Sequence, residues 1–303
     1  MNANIRTDLA LEVRESFPED DVEIKGVELW EDYDEKHNIR VSTVVIKDKK
    51  GAKAMQKPMG TYITIEAPDM NQGDDGYNKE ISDVIAKELK TLAGDLKREE
   101  VLVVGLGNRE VTPDSIGPKV VDNLFVTRHL IHEYGNEFKE KNHLGNVSAI
   151  SPGVMAQTGM ETVEIIKGII KETKPKLLIV IDALASRSVS RVNTTVQLTD
   201  TGISPGSGVG NNRKAFNEES LETKVIALGV PTVVDAATIV ADTMTAYMQN
   251  NGFEEGDIDK FISEVRNQQI ENMFVTPKNI DESVKRISYT VSEALNSCFA
   301  QVV

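Results

Sequence analysis

The sequence predicts a three-layer α/β/α protein with a mostly parallel central sheet and additional strands from its N-terminal part. Residues 101–105, 177–181 and 225–229 form short runs that are apolar throughout, as buried parallel strands require. Helical hydrophobic patterns lie between these runs, and such alternation indicates a parallel sheet with helices on both sides. The chain has 303 residues, 40% of them apolar, which is enough for one domain with a substantial core.

The N-terminal part, about residues 21–67, is predicted to extend this sheet. Apolar residues alternate most clearly over 39–45, and shorter patterns at 22–29 and 62–65 indicate two further strands. A breaker-rich stretch at 68–76 separates them from a helix that carries Ile81, Ile85 and Leu89 on one face. We therefore expect residues 8–303 to form a single domain with an N-terminal strand extension.

Composition and charge limit the classes of function. The chain has 48 acidic and 34 basic residues, a formal net charge of −14. This charge repels phosphates, and no basic patch is evident beyond a lysine cluster at 47–53, so direct nucleic-acid binding is not expected. The single cysteine, Cys298, excludes an internal disulfide and fits a reducing compartment. Without a secretory signal or a membrane-spanning apolar run, the protein is expected to be cytoplasmic.

Acidic residues follow two of the predicted parallel strands. Asp114 lies in the loop after the first strand, where it could instead cap the following helix. Asp182 ends the second strand, where a carboxylate is costly to bury without a partner. Ligands bind beyond the carboxyl ends of such strands. Two neighbouring carboxylates can share a proton, one acting as a base toward water and the other as an acid toward the substrate. This pair could hydrolyse a peptide bond without serine, cysteine or metal.

Other sites are weaker candidates. A dinucleotide fingerprint starting at Gly105 fails at Glu110, and the glycine-rich stretch 204–214 lacks the order of a phosphate-binding loop. That stretch is either the rim of a site or a plain surface loop. Ser186 and Ser188 have no evident histidine partner for a serine triad.

Two alternative hypotheses use the same fold. In the first, Asp114, Asp182 and either His129 or His132 bind a metal ion, because the two histidines share a spacing that suits one helix face. In the second, the protein is a binding or scaffold protein, and both aspartates are caps or core residues. Chelation tests the first hypothesis, and substitution of either aspartate tests the second.

Four segments of the chain resemble the germination protease family. They are residues 6–10 (RTDLA), the loop 105–118 (GLGNREVTPDSIGP), residues 151–162 (SPGVMAQTGMET) and the long run 181–213. The resemblance covers essentially the whole chain, and the match over 181–213 is very specific. The loop and the following strand-end aspartate are also similar, more distantly, to hydrogenase maturation endopeptidases.

The resemblance implies an endopeptidase made as an inactive zymogen that processes itself. Its substrates would be the small acid-soluble proteins that coat spore DNA, cleaved in the spore core during germination. Members rely on two aspartates, which match Asp114 and Asp182. We expect no cofactor and, unless the metal alternative holds, no metal in this site. The cleavage point would lie near Thr7–Asp8, so that residues 1–7 form a propeptide. The family also implies a homotetramer.

Overall fold

The computed structural model describes residues 7–17, 24–71, 75–206, 214–253, 256–258, 260 and 273–300. Three predicted features fall partly outside the described residues. These are the predicted propeptide 1–7, of which only Thr7 is described, the predicted strand at 22–29, of which residues 22–23 are not described, and the glycine-rich stretch 204–214, of which residues 207–213 are not described.

One mixed sheet organises the described residues. Its strands are β1 (Val27–Asp34), β2 (Ile39–Ile46), β3 (Gly60–Glu66), β4 (Glu100–Gly105), β5 (Asn146–Ile150), β6 (Leu177–Ser186), β7 (Thr195–Thr199), β8 (Lys224–Asp235) and β9 (Phe274–Val275). The strand order is β1-β2-β3-β7-β8-β6-β4-β5, and β9 pairs with β8.

Helices cover the sheet. They are α1 (Ala10–Glu15), α2 (Lys49–Met55), α3 (Asp75–Ala93), α4 (Ile116–Asp122), α5 (Arg128–Lys141), α6 (Met155–Thr158), α7 (Thr162–Thr173), α8 (Glu218–Leu221), α9 (Ala236–Asn250) and α10 (Ile280–Leu295). Side chains from α3, α4 and α10 pack on one face of the parallel strands, and those from α7 and α8 pack on the other. Side chains along a strand alternate between the two faces of the sheet. Because helices cover both faces, the apolar side chains on each face are buried.

The predicted α/β class with helices on both faces is confirmed. The three apolar runs lie in β4, β6 and β8. β6 pairs in parallel with both β4 and β8, and β4 also pairs in parallel with β5. The N-terminal strands are also confirmed as β1, β2 and β3, which pair antiparallel. The parallel part is limited to four strands, because β7 joins the two halves through antiparallel pairing with both β3 and β8. The sheet is therefore mixed rather than mostly parallel.

The N-terminal helices pack near the junction of the two halves. Ala10 and Leu11 from α1 and Met55 from α2 form a small core with residues of β2 and β3. Leu9, just before α1, is fully buried as well. This burial fixes the first described residues of the chain against the sheet.

Candidate active site

A tight loop after β4 positions Asp114. The backbone N–H of Asn108 donates a hydrogen bond to Asp114 Oδ2 at 2.8 Å. Gly107 has a φ of +110°, and a Cβ added there would lie 1.9 Å from the backbone oxygen of Asp114. Helix α4 starts after Ser115, which makes no side-chain capping bond. Asp114 is therefore held by its own loop, and Ser115 rather than Asp114 stands at the N-cap position of α4.

Asp182 lies inside β6 rather than at its end. It pairs with Gly229 of β8, and β6 continues to Ser186. The expectation that Asp182 ends its strand is therefore wrong. β4 ends at Gly105, which pairs with Ile181, but β6 continues beyond that point because it stays paired with β8. Asp182 is only 5% exposed, and its Oδ1 accepts a hydrogen bond from the Ala183 N–H at 3.0 Å.

Both aspartates line one cavity of about 390 Å³. It opens where β4 has ended and β6 continues, as expected for a ligand site in an open sheet. Much of the wall is apolar, and among the lining residues are Leu106, Val111, Pro113, Val154, Val163, Leu184, Ile203, Phe216 and Phe274. Asp8 also lines this cavity. The structure thus brings together Asp114, Asp182 and one residue of the predicted cleavage point.

The N-terminal segment binds the end of β6. The Asp8 N–H donates to the backbone oxygen of Ala185 at 2.9 Å, and the Ala185 N–H donates to Asp8 Oδ2, also at 2.9 Å. The Thr7 hydroxyl donates to the carboxylate of Glu12 and accepts a bond from the Leu9 N–H at 3.0 Å. Thr7 and Asp8 are therefore held in an ordered arrangement beside the cavity.

Two residues that sequence reasoning missed contact this segment. Lys57 Nζ donates to the backbone oxygen of Asp8 at 2.9 Å, and Gln197 Nε2 donates to the same oxygen at 3.2 Å. The Lys57 side chain is partly exposed, but its ammonium is desolvated. This desolvation lowers the pKa of Lys57, although the charges of Asp8 and Glu12 oppose the shift. No local pattern in the sequence marks either residue, since only the fold brings them to Asp8.

The residues of the other hypotheses do not converge on the cavity. His129 and His132 are exposed on α5 and are not among its lining residues. Within the described part of the chain, no three His, Cys, Asp or Glu side chains are grouped as a metal site requires. Ser186 donates to the backbone oxygen of Ser188 at 3.0 Å. The structure therefore gives no support to the metal-dependent or the serine-based site.

The glycine-rich stretch borders the cavity on both described flanks. Ser204, Pro205 and Gly206 line it from one side and Lys214 from the other. Lys214 forms an ion pair with Glu164 of α7 at 2.9 Å. Of the two alternatives for this stretch, the rim of a site fits these flanks better than a plain surface loop.

A basic cleft lies at the opposite edge of the sheet, where β6 and β8 begin. Its lining includes the lysines Lys167, Lys171, Lys174, Lys176 and Lys224. The sequence analysis singled out only the lysine cluster at 47–53 and missed this group of lysines. Four of the five lie within residues 167–176 of the sequence, and the fold adds Lys224 from the start of β8.

The fold and the cavity define an α/β protein with a carboxylate-lined candidate active site at the carboxyl edge of its parallel strands. The chain belongs to the germination protease family, whose model matches residues 5–260. It is thus a protease of spore germination, a hydrolase of peptide bonds. Within the described residues, no helix is long and apolar enough to span a membrane.

Three of the proteins that this chain resembles in sequence are germination proteases. Those of Caldanaerobacter subterraneus subsp. tengcongensis and Clostridium tetani are 45% and 43% identical, covering 96% and 97% of this chain and 93% and 94% of theirs. That of Bacillus velezensis is 46% identical over 84% of this chain and 69% of its own. Among solved structures, the [NiFe] hydrogenase maturation protease HycI from Thermococcus kodakarensis matches with a TM-score of 0.36 and 14% identity. The match covers 69% of this chain and 99% of that one.

Proposed function

We propose that this protein is an endopeptidase that uses Asp114 and Asp182 and that initiates degradation of the small acid-soluble DNA-binding proteins of the spore. The observation that carries the proposal is that both aspartates and Asp8 line one cavity. The family membership supports the protease activity. Protein substrates of this kind would be met in the spore core, and the reaction needs no cofactor.

The chemistry follows from two carboxyl groups in different protonation states. The ionised group removes a proton from a water molecule, whose oxygen forms the new bond to the carbonyl carbon of the substrate. The protonated group supplies a proton to the carbonyl oxygen, and collapse of the intermediate transfers a proton to the leaving amine. The hydrogen bonds from Asn108 and Ala183 hold the two carboxyl groups in place. The apolar wall limits competition from bulk water.

The protein is made as a zymogen that processes itself near Thr7–Asp8. Support comes from Asp8, which lines the cavity together with Asp182. Its carboxylate accepts a hydrogen bond from Ala185, which lies in β6 like Asp182. A segment in this place competes with an external substrate for the cavity. We therefore expect that removal of the propeptide gives the aspartates access to other proteins.

Asp114→Asn and Asp182→Asn test the proposal. Each variant should slow cleavage of a purified small acid-soluble spore protein by about 100-fold or more, the usual effect of losing one acid–base group. Mass spectrometry of the same samples should show a shortened N-terminus for the wild type and an intact one for both variants. Asp95→Asn is the control, since Asp95 is exposed, precedes β4 and is not among the residues that line the cavity.

The outcomes separate the hypotheses. A chelator should leave the wild-type rate unchanged, whereas loss of activity with chelator would show that the aspartates are metal ligands. Full activity of both variants would place the site elsewhere in the protein. An active wild type that still begins at Met1 would contradict the processing step.

A further inference from the structure

Thr232 is an extra residue in β8 beside the cavity. Leu184 of β6 pairs with Pro231 of β8, and the next residue of β6, Ala185, pairs with Val233. At this point β8 therefore has one residue more than β6, which is a β-bulge around Thr232. A bulge bends its strand and changes the direction of a side chain, and bulges are frequent next to active sites. Thr232 is 1% exposed and lines the same cavity as the two aspartates.

The hydroxyl group of Thr232 holds the residue before Asp114. It donates a hydrogen bond to the backbone oxygen of Pro113 at 2.7 Å. That oxygen and the Asp114 N–H belong to one peptide group, which is planar and rigid. The N–H donates to the backbone oxygen of Val111 at 2.8 Å. The peptide group that leads into Asp114 is therefore fixed on one side by β8 and on the other by its own loop.

Both aspartates are thus positioned with respect to β8. Asp182 of β6 pairs with Gly229 of β8. Asp114 is connected to the same strand through Pro113 and Thr232. Gly229 and Thr232 are three residues apart in the sequence, a distance of about 10 Å along a strand. One strand therefore supports the two carboxyl groups that share the cavity.

The bulge is itself held by a neighbouring segment. Thr276, which follows β9, donates its hydroxyl hydrogen to the backbone oxygen of Thr232 at 2.8 Å. β9 pairs with the end of β8, where Val275 is opposite Val234 and Phe274 is opposite Asp235. The backbone of the bulge is therefore fixed from β9 as well as from β6.

Two further contacts reach the Asp114 loop from other elements, and both are exposed. Gln157 of α6 donates to Asn108 Oδ1 at 3.1 Å, and Thr112 donates to Asp281 of α10 at 2.8 Å. Water competes for exposed hydrogen bonds, so they restrain a loop less than a bond from a buried donor. Of these three contacts, the one from the buried Thr232 is therefore the strongest restraint.

We propose that Thr232 is a positioning residue that sets the distance between Asp114 and Asp182. This inference rests on the proposed two-aspartate function. In that function one carboxyl group is ionised and the other is protonated, a state that depends on the repulsion between two nearby negative charges. A loop released from β8 moves Asp114 away from Asp182, which weakens this repulsion and misplaces one of the two groups relative to the substrate carbonyl.

Thr232→Val and Thr232→Ser test the role of the hydroxyl group. Valine keeps the shape of threonine without the hydroxyl, and serine keeps the hydroxyl without the methyl group. Thr232→Val should lower kcat on a small acid-soluble spore protein by about 10-fold or more, since a displacement of about 1 Å can cost a factor of about 100. KM should change little, because the lost contact serves the reacting groups rather than substrate binding. Thr232→Ser should keep most of the wild-type kcat.

Thr91→Val is the matched control for removal of a threonine hydroxyl. The Thr91 hydroxyl also donates to a backbone oxygen, that of Lys87, at 3.0 Å. It lies on the exposed face of α3, and Thr91 is not among the residues that line the cavity. This variant should cleave the substrate at the wild-type rate.

The pH dependence of kcat separates positioning from a simple loss of stability. When the two carboxyl groups lie further apart, the second of them loses its proton at a lower pH. The alkaline limb of the pH–rate profile of Thr232→Val should therefore move to lower pH, whereas Thr232→Ser should keep the wild-type profile. A variant that is only less stable loses activity by a similar factor across the profile.

Two additions keep the test conclusive if a variant matures slowly or folds poorly. The rate of self-processing, followed by mass spectrometry, gives a second rate for enzymes that are slow to mature. Thr276→Val leaves the Thr232 hydroxyl in place and removes only the bond to its backbone, so it should show a smaller loss of kcat with the same shift of the alkaline limb. If Thr232→Val does not fold, wild-type behaviour of Thr276→Val overturns the proposal.

Three results would overturn the positioning role of Thr232. They are a wild-type kcat in Thr232→Val, an equal loss of kcat in Thr232→Ser, and an unchanged shape of the pH–rate profile. Each of them leaves the two-aspartate function standing, provided that Asp114→Asn and Asp182→Asn block cleavage. If those two variants cleave normally, the proposed function fails, and the inference fails with it.

Discussion

At the scale of single residues, the position of Asp114 depends on a glycine seven residues before it. Gly107 adopts a φ of +110° that side chains rarely tolerate, and its Cα faces the backbone of Asp114. The close approach lets the Asn108 N–H reach the carboxylate at 2.8 Å. Gly107 therefore helps to hold the Asp114 carboxylate in position.

Gly107→Ala should disturb this geometry. We expect the substitution to destabilise the protein by about 2 kcal/mol or more, because it combines an unfavourable φ with a clash against backbone, and to reduce peptidase activity. Urea unfolding and the peptidase assay measure the two effects. Gly168→Ala is the matched control, since Gly168 lies in α7 with nothing within 4 Å of an added Cβ. It should be neutral or slightly stabilising, whereas equal stability of the two variants would contradict the steric explanation.

At the scale of elements, α1 is joined to the turn after β6 by a network of charges. Arg191 binds Glu15 and, through Nε at 2.8 Å, Glu66, and its Nη1 lies 3.6 Å from Glu12. Burial lowers the pKa of Arg191, but the hydrogen bonds that its guanidinium donates to Glu15 and Glu66 outweigh this effect and raise the pKa overall. The short helix is thereby fixed to the strand that carries Asp182.

Glu12→Gln tests the strength of this connection. Glu12 is 4% exposed and accepts from two backbone N–H groups, so removal of its charge and of one acceptor should destabilise the protein by about 1–3 kcal/mol. Glu15→Gln, at an exposed carboxylate, should cost less than about 1 kcal/mol. Urea denaturation of both variants gives the comparison, and equal losses would argue against a special role for the buried carboxylate.

At the scale of the whole molecule, we expect a homotetramer. The proposal rests on the family resemblance, and several large apolar side chains remain exposed on the single chain, among them Trp30 at 52% and Tyr247 at 59%. Light scattering should give a mass four times the 33.3 kDa of one chain. A mass that stays at one chain over the range of concentrations would contradict the assembly.

The sequence determined the α/β class, the three buried strands and the two candidate aspartates. These features are local, because an apolar run predicts a buried strand and a carboxylate beside it stands out by its cost of burial. The sequence also indicated the family through long continuous segments such as 181–213. The sequence analysis did not predict β7, because this strand spans only Thr195–Thr199 and its hydrophobic pattern is too short to recognise.

Only the tertiary structure decided which residues meet. Asp114, Asp182 and Asp8 reach one cavity because β6 extends past the end of β4 and the N-terminal segment pairs with its last residues. Lys57 and Gln197 meet at the Asp8 carbonyl although 140 residues separate them along the chain. Contacts between positions so far apart depend on strand order and register, which no local pattern of residues encodes.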